Sequence, residues 1–175
     1  MPTASTHIEE LLIPVTSRTP VEGFAELYER HCEAVLRAAL RVTGRLADAE
    51  DVLQTVFLRV LARGGDVDDL ARPAAYFRRA AVNAAVDVLR RRELHAESAY
   101  DELAPHAAIQ PPLLLKERLR RAIAAVDRED ASLFLLRHVE GLSIEELAGM
   151  FGIEKNNVAV KLHRIRHRLQ SEMQR

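Results

Sequence analysis

Apolar residues recur at helical spacing along most of this chain, and strand-like alternation is scarce. Neighbours three and four positions apart form regular apolar faces within 24–42, 52–60 and 77–88. Such spacing places apolar side chains on one side of an α-helix, which buries that side. We therefore predict three helices within residues 21–93, following a loosely ordered tail over residues 1–20.

The helical pattern stops between residues 94 and 112, where Ala, Glu, His and paired prolines replace it. This composition is typical of a linker. A second unit over residues 113–175 contains a predicted helix at 114–126 and another that Asp127 caps. Each unit is small for an independent core. We predict an all-α fold with two small helical domains joined by a flexible linker.

The last 35 residues have the pattern of a helix-turn-helix. Ser143 followed by Glu146 is a capping box, in which a hydroxyl and a carboxylate each satisfy a free backbone amide. Gly152 allows the sharp turn that ends a helix. The helix that follows has one apolar side, formed by Val158, Leu162, Ile165 and Leu169.

The opposite side of this last helix is polar and basic, and it carries Asn156, Val160 and Arg164, with Asn157 and Lys161 on a flank. A short helix, a turn and a longer cationic helix are typical of a DNA-binding motif. Its first residues contact base edges, and its later Arg and Lys contact phosphates. The alternative is an αα-hairpin with a solvated basic face.

Charge is balanced overall but unevenly distributed along the chain. There are 25 Lys and Arg against 26 Asp and Glu, which gives a formal net charge of −1. Cations concentrate at 90–92 and 161–168, and acids at 48–51 and 97–102. Lys and Arg attract DNA phosphates, and carboxylates repel them. We therefore expect the isolated chain to bind DNA weakly.

Several function classes are disfavoured by what the sequence contains. The lone cysteine, Cys32, excludes an internal disulfide and suits the cytoplasm;. Glu9 and Glu10 stand where a signal peptide needs cationic and apolar runs, and we expect no membrane insertion;. The sequence has no nucleophile–base pair, metal-ligand cluster or phosphate-binding loop. We therefore predict a cytoplasmic non-enzyme without cofactor or metal.

Three stretches, in order along the chain, resemble the extracytoplasmic-function (ECF) sigma factors of bacterial RNA polymerase. The first is 47–59, Ala-Asp-Ala-Glu-Asp-Val-Leu-Gln-Thr-Val-Phe-Leu-Arg, and the second is the arginine-rich 81–91. The third is the terminal helix-turn-helix, so that the resemblance covers about 24–169. It implies a protein that recruits core RNA polymerase to promoter DNA and that has an anti-sigma factor as a further partner.

The resemblance assigns the second helix to docking on the clamp helices of the largest polymerase subunit. An acidic rim also steers a basic partner. The alternative is that the acids only favour a helix N-terminus, which is worth about 0.3–1 kcal/mol each. The implied core-polymerase-binding residues are Asp48, Glu50, Asp51, Gln54 and Phe57.

In the family, the third helix binds the melted minus-ten element. Single-stranded DNA requires stacking surfaces, polar donors and a cationic track. Tyr76 stands where the family usually has tryptophan, and Phe77 is expected in the core. The implied minus-ten residues are Tyr76, Arg79, Asn83, Asp87, Arg90 and Arg91.

The family uses the helix-turn-helix to bind duplex DNA at the minus-thirty-five element. This chain has Asn-Asn-Val-Ala-Val at 156–160 where the usual sequence is Gly-Thr-Val-Lys-Ser. Side-chain amides suit adenine, and an exposed Val160 suits a thymine methyl. The implied minus-thirty-five residues are Ser143, Lys155, Asn156, Asn157, Val160, Lys161, Arg164 and Arg168.

Two other classes of protein remain open at this point. One is a stand-alone helix-turn-helix regulator whose first three helices form a dimerisation or sensor unit. The other is a helical adaptor that binds only proteins. The acidic second helix and the arginine-rich third helix favour the sigma factor over the regulator, which has no use for either.

Overall fold

The computed structural model describes residues 20–63, 72–99 and 111–174, and these residues form helices and connecting turns without a strand. The all-α prediction is confirmed. The predicted tail, apart from Pro20, and most of the predicted linker lie outside the described residues. The helices are α1 (Pro20–Thr43), α2 (Leu46–Ala62), α3 (Pro73–Ala99), α4 (Pro111–Ala125), α5 (Arg128–His138), α6 (Ile144–Phe151) and α7 (Lys155–Gln174).

Several helix boundaries differ from those that the pattern predicts, among them the start of α4, at Pro111 instead of Leu114. The second helix was expected to open at Asp48, but α2 begins at Leu46, so that Asp48 lies in its first turn. The third helix was expected to end near Glu93, but α3 continues to Ala99 and takes six residues from the predicted linker. No glycine or proline follows Glu93 before Pro105, so this stretch lacks the residues that most strongly end a helix.

The first three helices form a bundle around an aromatic cluster. The Phe57 ring lies 4.8 Å from that of Tyr28 and 5.2 Å from that of Phe77, between centroids. His31 extends this cluster by stacking on Phe77, with 4.5 Å between the two ring centroids. Such pairs add about 0.5–1.5 kcal/mol beyond their buried area. The predicted core face of α2 is confirmed, since Val52, Val56, Phe57 and Val60 are all buried.

α3 is buried on more than one side and lies between the two halves of the molecule. Phe77, Ala81, Ala84 and Val88 face the core as predicted, and Val82 and Val86 on other sides are also buried. α1 and α2 cover one side of α3, and α4 and α5 cover another. The buried side chains of both halves therefore form one continuous core.

His31 should make this bundle sensitive to acid. Burial lowers the pKa of His31, and the nearby Arg30 cation lowers it further. A lowered folded-state pKa means that neutral His31 stabilises the fold above its unfolded pKa of about 6.5 and that this stability is lost as the pH falls. We expect the urea midpoint of the His31→Phe variant to fall less than that of the wild type between about pH 7.5 and about pH 5.5.

His95, exposed on α3, provides the matched control. The His95→Phe variant should follow the wild-type pH dependence. An equal fall in midpoint for His31→Phe and wild type would contradict the assignment.

Candidate nucleic-acid interface

The helix-turn-helix is fixed by local hydrogen bonds at both ends of α6. The Ser143 hydroxyl accepts from the Glu146 amide at 3.1 Å, and the Ser143 amide donates to the Glu146 carboxylate at 2.8 Å. These bonds lower the pKa of Glu146. At the other end, Gly152 adopts a left-handed conformation with φ 66°. The predicted capping box and glycine turn are both confirmed; the first fixes the start of α6, and the second forms the turn into α7.

Loss of this cap should destabilise the fold measurably. The Ser143→Ala variant is expected to lose about 1 kcal/mol of unfolding free energy, because removing an N-cap hydroxyl leaves an amide unsatisfied. Chemical denaturation measures it, with Ser171→Ala, exposed near the end of α7, as the control. Equal stability of the two variants would contradict the role of the cap. A hydroxyl has a donor and two acceptor positions, so the cap leaves Ser143 able to form a further hydrogen bond. Its contact with DNA stays a prediction.

α7 has the two sides that its sequence predicts. Its four predicted core residues are buried against the neighbouring helices. Val160 on the opposite side is 48% exposed. The predicted duplex-binding face is therefore open to solvent; its exposed residues are Lys155, Asn156, Asn157, Val160, Arg164 and Arg168, with Lys161 half-buried beside them.

Acids on neighbouring helices contact two cations of this face. Lys155 Nζ lies 2.8 Å from a Glu145 carboxylate oxygen, and Arg168 Nη1 lies 3.5 Å from one of Asp130. Lys155 also lowers the pKa of Glu145. Exposed ion pairs of this kind contribute about 0–1 kcal/mol. A phosphate can therefore displace the acids at little cost.

A second exposed face lies on α2. Glu50, Asp51 and Gln54 point to solvent as predicted. Leu58 and Leu61 share this face and are 62% and 49% exposed. Leu58 lies four positions after Gln54, and Leu61 lies three positions after Leu58. This spacing indicates a second apolar stripe outside the core register, which the sequence interpretation missed. An apolar centre with an acidic rim is typical of a protein-binding surface.

Two further residues predicted to bind core polymerase are turned toward the bundle. Phe57 is 3% exposed, and its ring packs against those of Tyr28 and Phe77. In this structure the helical angle directs the Phe57 ring to the core, away from the exposed face. Asp48 is largely buried and forms an ion pair with Arg92, at 3.2 Å.

The predicted minus-ten residues lie along α3, and the C-terminal helices cover most of them. Arg79 donates to the Met150 carbonyl, and its guanidinium lies 4.3 Å from the Phe151 ring centroid. Asn83 accepts a hydrogen bond from the Ser132 hydroxyl. We expected these side chains on a solvent-exposed face of α3. In the structure they contact the C-terminal helices instead.

The C-terminal half of the chain also covers the later minus-ten residues of α3. Arg128 approaches Asp87 with two nitrogens, each 2.8 Å from a carboxylate oxygen. Arg90 donates to the Val126 carbonyl, and its Nε is buried without a hydrogen-bond partner. By contrast, Arg91 is exposed. Tyr76 is half-buried at the start of α3, where its hydroxyl accepts from Arg63 at 3.3 Å.

Comparisons with known proteins match this arrangement of two regions. Residues 27–94 match the family model of sigma-70 region 2, and residues 116–169 match that of sigma-70 region 4. The RNA polymerase sigma-E factor of Streptomyces avermitilis is 30% identical over 156 residues, which cover 86% of this chain and 85% of the relative. The ECF RNA polymerase sigma factor SigM of Mycobacterium tuberculosis is 29% identical over 148 residues, 84% of this chain and 75% of the relative.

A solved structure has the same fold. The sigma factor RpoE from Bartonella quintana, crystallised with the anti-sigma factor NepR, aligns with a TM-score of 0.50 and 18% sequence identity. The alignment covers 86% of this chain and 96% of that chain. At this identity the likeness concerns the fold alone.

Region 2 followed by region 4 defines a sigma factor of the sigma-70 class. Within that class, this chain belongs to the extracytoplasmic-function sigma factors. The family resemblance predicted from the sequence is thereby confirmed. Among the described helices, none is both long and apolar enough to cross a membrane.

Proposed function

We propose that this chain is the subunit that directs core RNA polymerase to a specific set of promoters. The observation that carries this proposal is the presence of both sigma regions in one chain, each with an exposed face suited to a different partner. The protein recruits and positions other molecules. It acts in the cytoplasm, where the polymerase and the chromosome are.

The exposed face of α2 supports its assignment to core-polymerase binding. Leu58 and Leu61 offer an apolar centre, and Glu50 and Asp51 supply negative charge beside it. Apolar area provides affinity, and the carboxylates increase the rate of encounter with a basic partner. Gln54 adds a hydrogen-bonding group between them. Asp48 acts indirectly, because its ion pair with Arg92 joins α2 to α3.

The open face of α7 supports its assignment to the minus-thirty-five element. Asn156 and Asn157 open the helix, where side chains of a recognition helix meet base edges. An asparagine amide pairs with N6 and N7 of adenine, and Val160 contacts a thymine methyl. Arg164 and Arg168 follow two to three turns later and bind phosphates, which fix the position of the helix on the duplex.

The composition of α3 supports its assignment to the melted minus-ten strand. Arg79, Arg90 and Arg91 provide the cationic track, and Asn83 provides an amide for hydrogen bonding to a base edge. Tyr76 provides an aromatic surface at the start of the helix. The carboxylate of Asp87 suits an exocyclic amine of a base.

Binding to core polymerase separates this function from that of a stand-alone regulator. Labelled protein titrated with purified core polymerase should bind tightly, and the complex should select DNA that carries two separated elements. A regulator would instead bind a duplex site tightly without polymerase and would show no affinity for core. An anti-sigma factor is a further proposed partner, which co-purification of the tagged chain from its host tests.

A further inference from the structure

The open face of α7 carries a pair of histidines that are not among the residues assigned to DNA. His163 and His167 are both exposed and lie four positions apart, with 4.5 Å between their ring centroids. Two histidines at this spacing on one face of a helix can bind one zinc ion together. We propose that His163 and His167 bind a zinc ion that also binds a backbone phosphate of the upstream duplex. This inference rests on the proposed function of α7 as the helix that binds that duplex.

The backbone that carries this pair is held in place by the core. Leu162, Ile165 and Leu169 are buried against the neighbouring helices, so α7 cannot rotate about its axis without losing this packing. At about 100° per residue, His167 lies opposite the buried side, and His163 lies about 40° from His167. Both rings therefore point away from the protein, on the side that the duplex approaches.

The separation of the two rings suits a shared metal ion. Zinc binds an imidazole nitrogen at about 2.0–2.1 Å, and tetrahedral geometry then places two ligand nitrogens about 3.3 Å apart. The rings lie at an interplanar angle of 74°, and exposed side chains rotate readily. A small rotation of either ring therefore brings one nitrogen of His163 and one of His167 to the required separation.

The chain supplies two ligands at this position, and zinc binds more. Within the part of the chain that the structure describes, no three His, Cys, Asp or Glu side chains come together to hold a metal ion. Zinc usually has four ligands, so two of its positions remain for water or for another molecule. The prediction of a chain without a metal depended on the lack of a full ligand cluster, and it did not consider a pair that DNA completes.

A phosphate is the DNA ligand that fits the place of this pair along α7. His163 precedes Arg164 and His167 precedes Arg168, in the part of the helix that is assigned to phosphates and not to base edges. In the free chain these arginines repel a divalent cation, but on the duplex the phosphates neutralise them. Zinc and DNA should therefore bind cooperatively, and each should strengthen the binding of the other by the same factor.

Zinc binding by the free chain tests the pair without DNA. A Cys32→Ser background removes the lone thiol, and competition with a chromogenic zinc chelator measures the Kd. The His163→Gln and His167→Gln double variant should bind zinc at least about tenfold more weakly, because a second imidazole on the same helix acts at a high effective concentration. The control, His95→Gln with His138→Gln, removes two exposed histidines from other helices and should bind zinc as the background protein does.

A duplex titration tests the bridge between the pair and a phosphate. The full chain is titrated onto two labelled duplexes of unrelated sequence, in zinc or in magnesium at the same concentration. Magnesium carries the same charge but prefers oxygen ligands to imidazole. Zinc should tighten binding of the background protein about tenfold on both duplexes and should steepen the salt dependence by about one phosphate contact. The His163 and His167 double variant should bind equally in the two metals.

The outcomes separate this site from the proposed function. The zinc site is overturned if the double variant, with native circular dichroism, binds zinc as tightly as the background protein. The bridge to DNA is overturned if zinc and magnesium act alike on duplex binding, or if zinc favours only one of the two duplexes. The proposed function fails if the wild-type chain supports no run-off transcription with core polymerase, a result that zinc binding by the free chain does not affect.

Discussion

Reversing one charge on the exposed face of α2 is expected to disrupt core-polymerase binding while the fold survives. The Asp51→Arg and Gln54→Ala double variant should lose at least about tenfold in affinity, or about 1.4 kcal/mol. Both side chains point to solvent, opposite the buried Val52 and Val56. A new cation facing a basic partner costs attraction and adds repulsion. Fluorescence titration of labelled protein with core polymerase measures the loss.

Glu33 provides a control of equal chemistry on a different surface. It is exposed on α1 and, like Asp51, carries a carboxylate. The Glu33→Arg variant should bind core polymerase as the wild type does. Leu58→Ser should weaken binding through the apolar centre of the face. Unchanged affinity of the Asp51 and Gln54 double variant, with native circular dichroism, would show that α2 is not the docking surface.

Substitutions in α7 are expected to separate base recognition from phosphate binding. Asn156→Ala should cost about 1–3 kcal/mol on the preferred site and relax the preference at one position. Arg164→Ala should weaken binding to all sites alike and lower the salt slope by about one. The two residues lie two turns apart on one exposed face. Holoenzymes of each variant, titrated on a library randomised in the upstream element, measure both effects.

Val160 is the internal control for the orientation of α7 in the groove. Val160→Ala removes two methyl groups from an exposed site and should reduce binding only where a thymine methyl lies opposite. If Arg164→Ala changes base preference and Asn156→Ala does not, α7 enters the groove at a different position along its length, and the assignment of its residues is incorrect.

Features that depend on local sequence were predictable for this chain. A capping box needs only Ser143 and Glu146 at the right spacing, and the turn after α6 needs only Gly152. The buried and exposed sides of α7 follow from helical periodicity alone. Each of these depends on residues within a few positions of one another, so a single sequence is sufficient.

Contacts between distant helices were not predictable in the same way. Periodicity indicates that Val82 and Val86 are apolar on a further side of α3, but not that α4 and α5 cover them. Asn83 and Asp87 are polar residues within that apolar stretch, and each is satisfied by a partner more than 40 residues away. The sequence shows which polar side chains need a hydrogen-bond or ion-pair partner, but it does not show which residues provide one.

Run-off transcription from fragmented host DNA tests the central claim most directly. Purified core polymerase is assayed alone, with the wild-type chain, and with the Asp51→Arg and Gln54→Ala variant. With the wild-type chain, transcripts should start at fixed distances downstream of one shared pair of DNA elements, and these starts should be absent with core polymerase alone and weaker with the variant. Identical transcripts with and without the wild-type chain would contradict its function as a sigma factor.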